Sequence, residues 1–290
     1  MQYKNYKELL EICQNTGCSI GAIALKKESQ DKEIPESDLQ KQMADVYLVM
    51  KESALSGLKQ TTRSPSGLSG GDAAKVSNAA TDKSFLSPML KDALAMGLAV
   101  NETSAAQGKI VACPTAGSCG ILPAAILSYE KHHSISQEAV INALFTAGAI
   151  GQIIEANACI AGAKGGCQAE CGTAAAMAAG ALIELSGGTP EQVVQAATLA
   201  IKNLLGLACD PVAGLVEVPC VKRNGILSAY SFIAAEMAQT GIKSAIPPDE
   251  VVDAMFRIGQ MLPSALRETA EGGLAVTPTG LKWKKIITES

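Results

Sequence analysis

Apolar residues recur three and four positions apart along most of the chain, which is the spacing of one helix face. Leu39, Met43, Val46 and Met50 form such a face. Ser37-Asp38-Leu39-Gln40 has the form of a capping box, so a helix is predicted from there to about residue 56. Ser134-Ile135-Ser136-Gln137 predicts the start of another, running to about residue 155. Gly187-Gly188 can close a helix, and Thr189-Pro190-Glu191-Gln192 supplies the N-cap, the N1 proline and the N3 glutamine of the next. Pro247-Pro248 precedes an amphipathic stretch over 249–261. Alternating strands flanked by hairpin turns are hard to find. The expected fold class is all-α: an Ala/Gly-rich helical domain with long functional loops.

Residues 6–13 read as a short helix, and the charged segment 26–37 as a solvated connection. This divides the chain into an N-terminal helix with linker, 1–37, and a main helical domain, 38–290. Residues 59–84, KQTTRSPSGLSGGDAAKVSNAATDKS, are polar and small, and a loop of that length in a compact domain is usually either functional or disordered.

Composition sharpens this reading. Hydrophobic residues make up 48% of the 290 positions but aromatics only 3%, so the core is built from Ala, Leu, Ile, Val and Met with close helix contacts. A net charge of −4 with no basic block argues against a nucleic-acid partner. The uncharged stretch 110–129 is long enough to span a membrane, but Pro114, Gly117, Gly120 and Pro123 mark it as buried loop and helix. The first 20 residues carry Lys4, Glu8 and Glu11 and no continuous apolar run, so no secretory signal is read and a cytoplasmic location is expected.

Nine cysteines, at 13, 18, 113, 119, 159, 167, 171, 209 and 220, do not suit a secreted disulfide framework. Three segments put cysteine beside Gly or Pro: 112–120, 162–172 and 209–220. There the backbone can approach a bulky ligand closely. No zinc pattern or ferredoxin run is present; the close pair Cys167 and Cys171 has no matching second half. Any metal centre therefore draws ligands from distant parts of the chain. The two histidines, His132 and His133, adjoin a helix start and read as solvated.

At these segments the sequence resembles the iron–sulfur L-serine dehydratases. The resemblance rests on Cys167-Gln168 after Gly162-Ala163 and Gly166, on Cys209-Asp210-Pro211-Val212-Ala213-Gly214, on Pro219-Cys220 and Arg223-Asn224, and on Val100-Asn101-Glu102 through Pro114-Thr115 to Gly120-Ile121-Leu122-Pro123. It covers residues 40–280 and implies a [4Fe–4S] cluster held by Cys167, Cys209 and Cys220 with one iron open to substrate. It leaves Cys113, Cys119, Cys159 and Cys171 off the ligand positions. Single-chain members have an N-terminal Ser-rich, His-containing region, and some have a tail cysteine. Neither is seen here, which fits the α chain of a two-chain type with a separate β chain.

The implied reaction converts L-serine to pyruvate and ammonia. An open iron acts as Lewis acid for loss of the hydroxyl, and a base removes the Cα proton. Candidates for the base are Glu102, Lys164 and Lys222, or a histidine of the β chain. Ser64, Ser66 and Gly67 in the polar loop, and Thr115 and Ser118 in the second turn, are candidates for binding the substrate carboxylate. Two other readings stay open: an aconitase-like hydro-lyase acting on a hydroxy acid, and a non-catalytic iron–sulfur sensor.

Overall fold

The computed structural model describes residues 2–59 and 63–289. Among them are thirteen α-helices and no β-sheet; an isolated parallel bridge joins Cys209 to Arg267. The helices are α1 (Tyr6–Thr16), α2 (Ile20–Lys32), α3 (Glu36–Lys59), α4 (Asp72–Asn78), α5 (Pro88–Ala105), α6 (Ile121–His132), α7 (Gln137–Asn157), α8 (Gly162–Gly165), α9 (Thr173–Leu185), α10 (Pro190–Lys202), α11 (Cys220–Gln239), α12 (Pro248–Met261) and α13 (Pro278–Glu289).

The middle of the molecule is α9, whose sequence TAAAMAAGALIEL buries every residue except Glu184. It packs against α6, α7, α10 and α11. With so few aromatic side chains, this closeness depends on small residues at the crossings. A Cβ on Gly57 of α3 would run into the Ala99 carbonyl of α5, and one on Gly97 of α5 would meet Ser228 and Asn224 of α11. The helix starts follow the capping chemistry. Ser136 accepts the Ala139 N–H at the head of α7, and Thr189 with Gln192 forms a complete capping box on α10. The expected start at Ser37 lies too late: Pro35 already accepts the N–H groups of Asp38 and Leu39, so α3 begins at Glu36. Past the end of α9, Gly187 sits at φ 76°, and Gly188 donates to the Ile183 carbonyl at 2.9 Å.

The first 37 residues hold two helices rather than one. The charged segment from Lys26 is helical through Lys32, because Ile20, Ile23 and Leu25 of the same helix are buried against the rest. Tyr6 and Leu9 are buried in the same hydrophobic cluster, and Asp249 at the start of α12 accepts the N–H groups of Tyr6 and Lys7 at 2.8 and 3.1 Å. Segment 110–129 is turn and helix as expected, buried over 117–128 but with Ala112 and Ala116 of the turn exposed. The helix long and apolar enough to cross a membrane is instead α7, and most of it is covered by the other helices. The polar stretch 59–84 contains a docked loop (63–71), α4 and a short turn; residues 60–62 of it lie outside the described residues.

Candidate metal centre

Three connecting segments converge at one end of α9. The first is the turn 113–120 that leads into α6. The second runs from α8 through Gly166, whose φ of 73° suits glycine, to Cys167 and a widened, π-type turn over Gln168–Gly172 that feeds α9. Such turns cluster at functional sites because they redirect side chains without ending the helix. The third is 207–220, which ends at Cys220, the first residue of α11.

Two amide side chains tie these segments together. Gln168 accepts from the Gly206 N–H at 2.9 Å and donates to the Met255 carbonyl at 2.8 Å, fixing the second segment to the third and to α12. Asn224 accepts from the Gly120 N–H at 2.8 Å and donates to the Gly117 and Cys220 carbonyls at 2.7 and 2.9 Å, fixing the first to α11. Cys209 is held by its own backbone, donating to Leu266 and accepting from Glu268, both at 2.8 Å.

The result is a group of four buried thiols: Cys167, Cys171, Cys209 and Cys220. The Cys171 thiol stands 3.2 Å from the Cys167 sulfur. Hydrogen bonding with Cys171 and Cys209, helped by the Arg223 guanidinium, holds Cys167 well below the ordinary thiol range. The others move the opposite way. Cys171 and Cys209 are raised by their bonds to Cys167 and by burial, and burial pushes Cys220 up to about 12. Arg223 also donates to the Ala208 carbonyl at 2.8 Å and to Asp210 at 3.3 Å, so it braces the approach to Cys209.

A carboxyl stands among the sulfurs. Glu170 is 6% exposed, and its carboxyl is raised to about 7, first by burial and then by the charges of Cys167 and Glu268. Thr115 donates to it and shares a 3.1 Å hydrogen bond with Ser118. Glycine is required beside it, since a Cβ on Gly162 would lie within 3.3 Å of Glu268, Cys209 and Glu170 alike. Cys167, Glu170 and Cys171 could together hold a metal ion. Buried soft sulfur donors contributed by separate segments fit iron–sulfur chemistry as well as a thiophilic single ion.

The residues singled out in the sequence fall into two sets. Cys167, Cys209, Cys220, Thr115 and Ser118 are brought together. Glu102 is buried on α5, where it accepts the N–H groups of Gly71, Asp72 and Ala73 at 3.2, 2.8 and 3.4 Å and so caps α4. Lys222 pairs with Asp72 at 2.6 Å. Lys164 is exposed on the rim of a cavity of about 600 Å³ shared with Glu155, Cys159 and Arg267. Ser64 and Ser66 donate to Glu217 at 2.5 and 2.7 Å, Ser69 donates to it as well, and Gly67 (φ 76°) turns the chain between them. His132 pairs with Asp92 and His133 stacks on Tyr129, both at the end of α6. Cys113 and Cys119 are buried thiols beside the first turn, the former donating to the Cys119 carbonyl at 3.3 Å.

Sequence reasoning missed Glu170, Glu268 and Glu217, and gave Arg223 no role beyond its part in the resemblance. For two of these a signal existed: Glu170 stands three residues after Cys167 and Arg223 three after Cys220, so each shares a helix face with a thiol.

Comparison with known proteins agrees with this picture. The family model described as "Serine dehydratase alpha chain" matches residues 15–275. The chain is 47% identical over 286 residues to the probable L-serine dehydratase alpha chain of Bacillus subtilis, an alignment covering 98% of this chain and 95% of that one. It is 42% identical over 280 residues to the L-serine dehydratase alpha chain of Peptoniphilus asaccharolyticus, covering 96% of each. Against L-serine dehydratase 1 of Escherichia coli it is 39% identical, covering 94% of this chain and 62% of that longer one. With the match spanning most of its length and the clustered thiols inside it, the chain belongs to the serine dehydratase alpha chain family.

Proposed function

We propose that this chain converts L-serine to pyruvate and ammonia, and that Cys167, Cys209 and Cys220 hold a [4Fe–4S] cluster for that purpose. The observation that carries the reading is the convergence of these three thiols, from segments far apart in sequence, into one buried group. Its relatives are named for the same reaction. When bound, the cluster supplies Lewis acidity at an iron that lacks a protein ligand, which is what departure of a poor leaving group such as hydroxide requires.

The chain's own residues prepare the site. Asn224 and Gln168 fix the segments that carry the thiols, so the ligands need little reordering on loading. Arg223 offsets the negative charge that accumulates at Cys167. The Thr115 hydroxyl donates to Glu170 and shares a hydrogen bond with the buried Ser118; these two hydroxyls are the candidates for binding the carboxylate of an amino acid. The low-dielectric surroundings strengthen these contacts.

Removal of the Cα proton needs a base within hydrogen-bond reach. Glu102, Lys164 and Lys222 each have another position or partner, so the base is assigned to a separate β chain. The enzyme is then a cytoplasmic assembly of two chain types.

Anaerobic loading of the purified chain with iron and sulfide, followed by assay of pyruvate from L-serine with and without the β chain, tests this. Iron content should not change on adding the partner, while turnover should rise by about 10²–10⁴-fold, the usual contribution of a general base. Cys167→Ser, Cys209→Ser and Cys220→Ser should each lose iron and activity. A Cys167→Ser protein with full iron and full turnover refutes the ligand assignment. Turnover of malate or citrate but not serine refutes the substrate.

A further inference from the structure

The three-ligand reading leaves one thiol of the group without a role. Cys171 is 1% exposed, and its sulfur stands 3.2 Å from that of Cys167. A disulfide would bring the sulfurs to about 2.05 Å, so these are two separate thiols. With a Zn–S bond of about 2.3 Å, two sulfurs on one tetrahedral ion stand roughly 3.7 Å apart. At 3.2 Å the two sulfurs stand somewhat closer than that, near enough for one ion to take both after a small outward shift. Cysteines that each bind a different iron of a cluster are spread by the metal–metal distance as well, and gain nothing from such closeness.

The remaining donor is in place. An oxygen of Glu170 lies with both sulfurs inside a set whose members are no more than 4.8 Å apart. The π-type turn over Gln168–Gly172 puts 167, 170 and 171 on one face. The Cys209 sulfur lies outside that set; it and a Glu170 oxygen flank the position a Cβ on Gly162 would take, at 3.2 and 3.3 Å.

We propose that the cluster-free chain binds a single thiophilic divalent ion, with zinc(II) as the reference case, through Cys167, Glu170 and Cys171, with solvent in the fourth position. Binding exchanges the thiol protons, released to solvent, for metal–sulfur bonds. Cys167 serves both arrangements, Cys171 and Glu170 the single ion alone, and Cys209 and Cys220 the cluster alone. The two occupants therefore exclude each other, and zinc in this seat blocks iron loading.

The test uses the full chain purified without its cluster and kept reduced under anaerobic conditions. Titration with Co²⁺ should give one ion per chain, with sulfur-to-cobalt absorption and the strong visible bands of a tetrahedral site, and Zn²⁺ should displace it. Cys171→Ala and Glu170→Gln should each weaken Zn²⁺ binding by more than about tenfold, since even outer-shell changes at metal sites reach that size. Cys171→Ala should still take up iron and sulfide as the parent does. Cys220→Ala should show the reverse: unchanged zinc affinity and lost cluster. Parent-like zinc affinity in either Cys171→Ala or Glu170→Gln overturns the proposal, as does a cobalt site that disappears in Cys220→Ala. If Cys171→Ala fails to fold, Glu170→Gln decides alone. No serine turnover enters these measurements, so the proposal can fail while the dehydratase reading stands, and the converse.

Discussion

Glu217 offers the most direct test of how the polar loop is held. It is 5% exposed and lies three residues before Cys220, and its carboxylate accepts hydroxyls from Ser64, Ser66 and Ser69. Ser64 and Ser69 bond one oxygen and Ser66 the other. Glu217→Gln keeps the shape but leaves one acceptor oxygen, and it removes the charge. Hydrogen bonds to charged groups contribute about 1.5–3 kcal/mol each, and neutral ones about 0.5–1.5. Losing one charged bond and weakening two others costs roughly 3 kcal/mol, which is about a hundredfold in an opening equilibrium. Only Ser64 and Ser69 of the loop 63–71 are buried, so the loop should detach locally while the helical core stays folded. Hydrogen exchange reads this at the Ser64 and Gly67 amides, which donate to Ser69 and Ser64, both at 2.9 Å. Exchange there should quicken by about two decades, with little change in the denaturant midpoint of the whole chain. Unchanged exchange at both amides refutes the anchoring role.

Three further outcomes are expected. Gly57→Ala should destabilise the fold by about 1–3 kcal/mol, because overlap with the Ala99 carbonyl and Thr103 outweighs the helix-propensity gain of about 1 kcal/mol; urea unfolding measures it. In the metal-free, reduced chain, Glu170 has a folded pKa of about 7, above its unfolded value. Its contribution, roughly 3 kcal/mol, is therefore present below about pH 4.5 and lost as pH rises through about 7. Urea midpoints at pH 5 and pH 8 should show that fall, and Glu170→Gln should flatten it. Lys164→Met and Lys222→Met should each keep serine turnover within about threefold of the parent, whereas loss of a true base costs about 10²–10⁴-fold.

The helices were legible because their signals are local. Ser136 and Thr189 cap the helices that their sequence neighbours predict, and Thr189 does so with the glutamine three residues on. The thiols could be recognised by resemblance but not by spacing, since Cys167, Cys209 and Cys220 meet only through tertiary contacts. Glu102 shows the limit of reading a buried carboxylate from sequence. A glutamate inside an apolar helix could be a base or a cap, and what decides is the presence of three N–H groups at the start of α4, some thirty residues away. The serines of the polar loop were read as substrate contacts for the same reason: their acceptor, Glu217, lies about 150 residues downstream and leaves no local trace. Cys171 was set aside because the three-ligand pattern was already complete without it.

Building a metal site on connecting segments raises a problem that a sheet would not. Loops lack a repeating hydrogen-bond ladder, and misplacement of a ligand by an ångström costs affinity. Here the ladder is replaced by side-chain amides with both ends in use. Asn224 takes an N–H and gives to two carbonyls; Gln168 takes one N–H and gives to one carbonyl, and its own backbone N–H reaches the Leu207 carbonyl at 3.1 Å. Each sits on, or one residue inside, a helix that carries a thiol at its start: Gln168 follows Cys167, and Asn224 stands one turn after Cys220. The rigidity of α9 and α11 is passed to the thiols through these amides rather than through the loops themselves. An isosteric acid in place of either amide keeps the acceptor and loses the donors, so in this fold Asn224 and Gln168 are as constrained chemically as the cysteines they position.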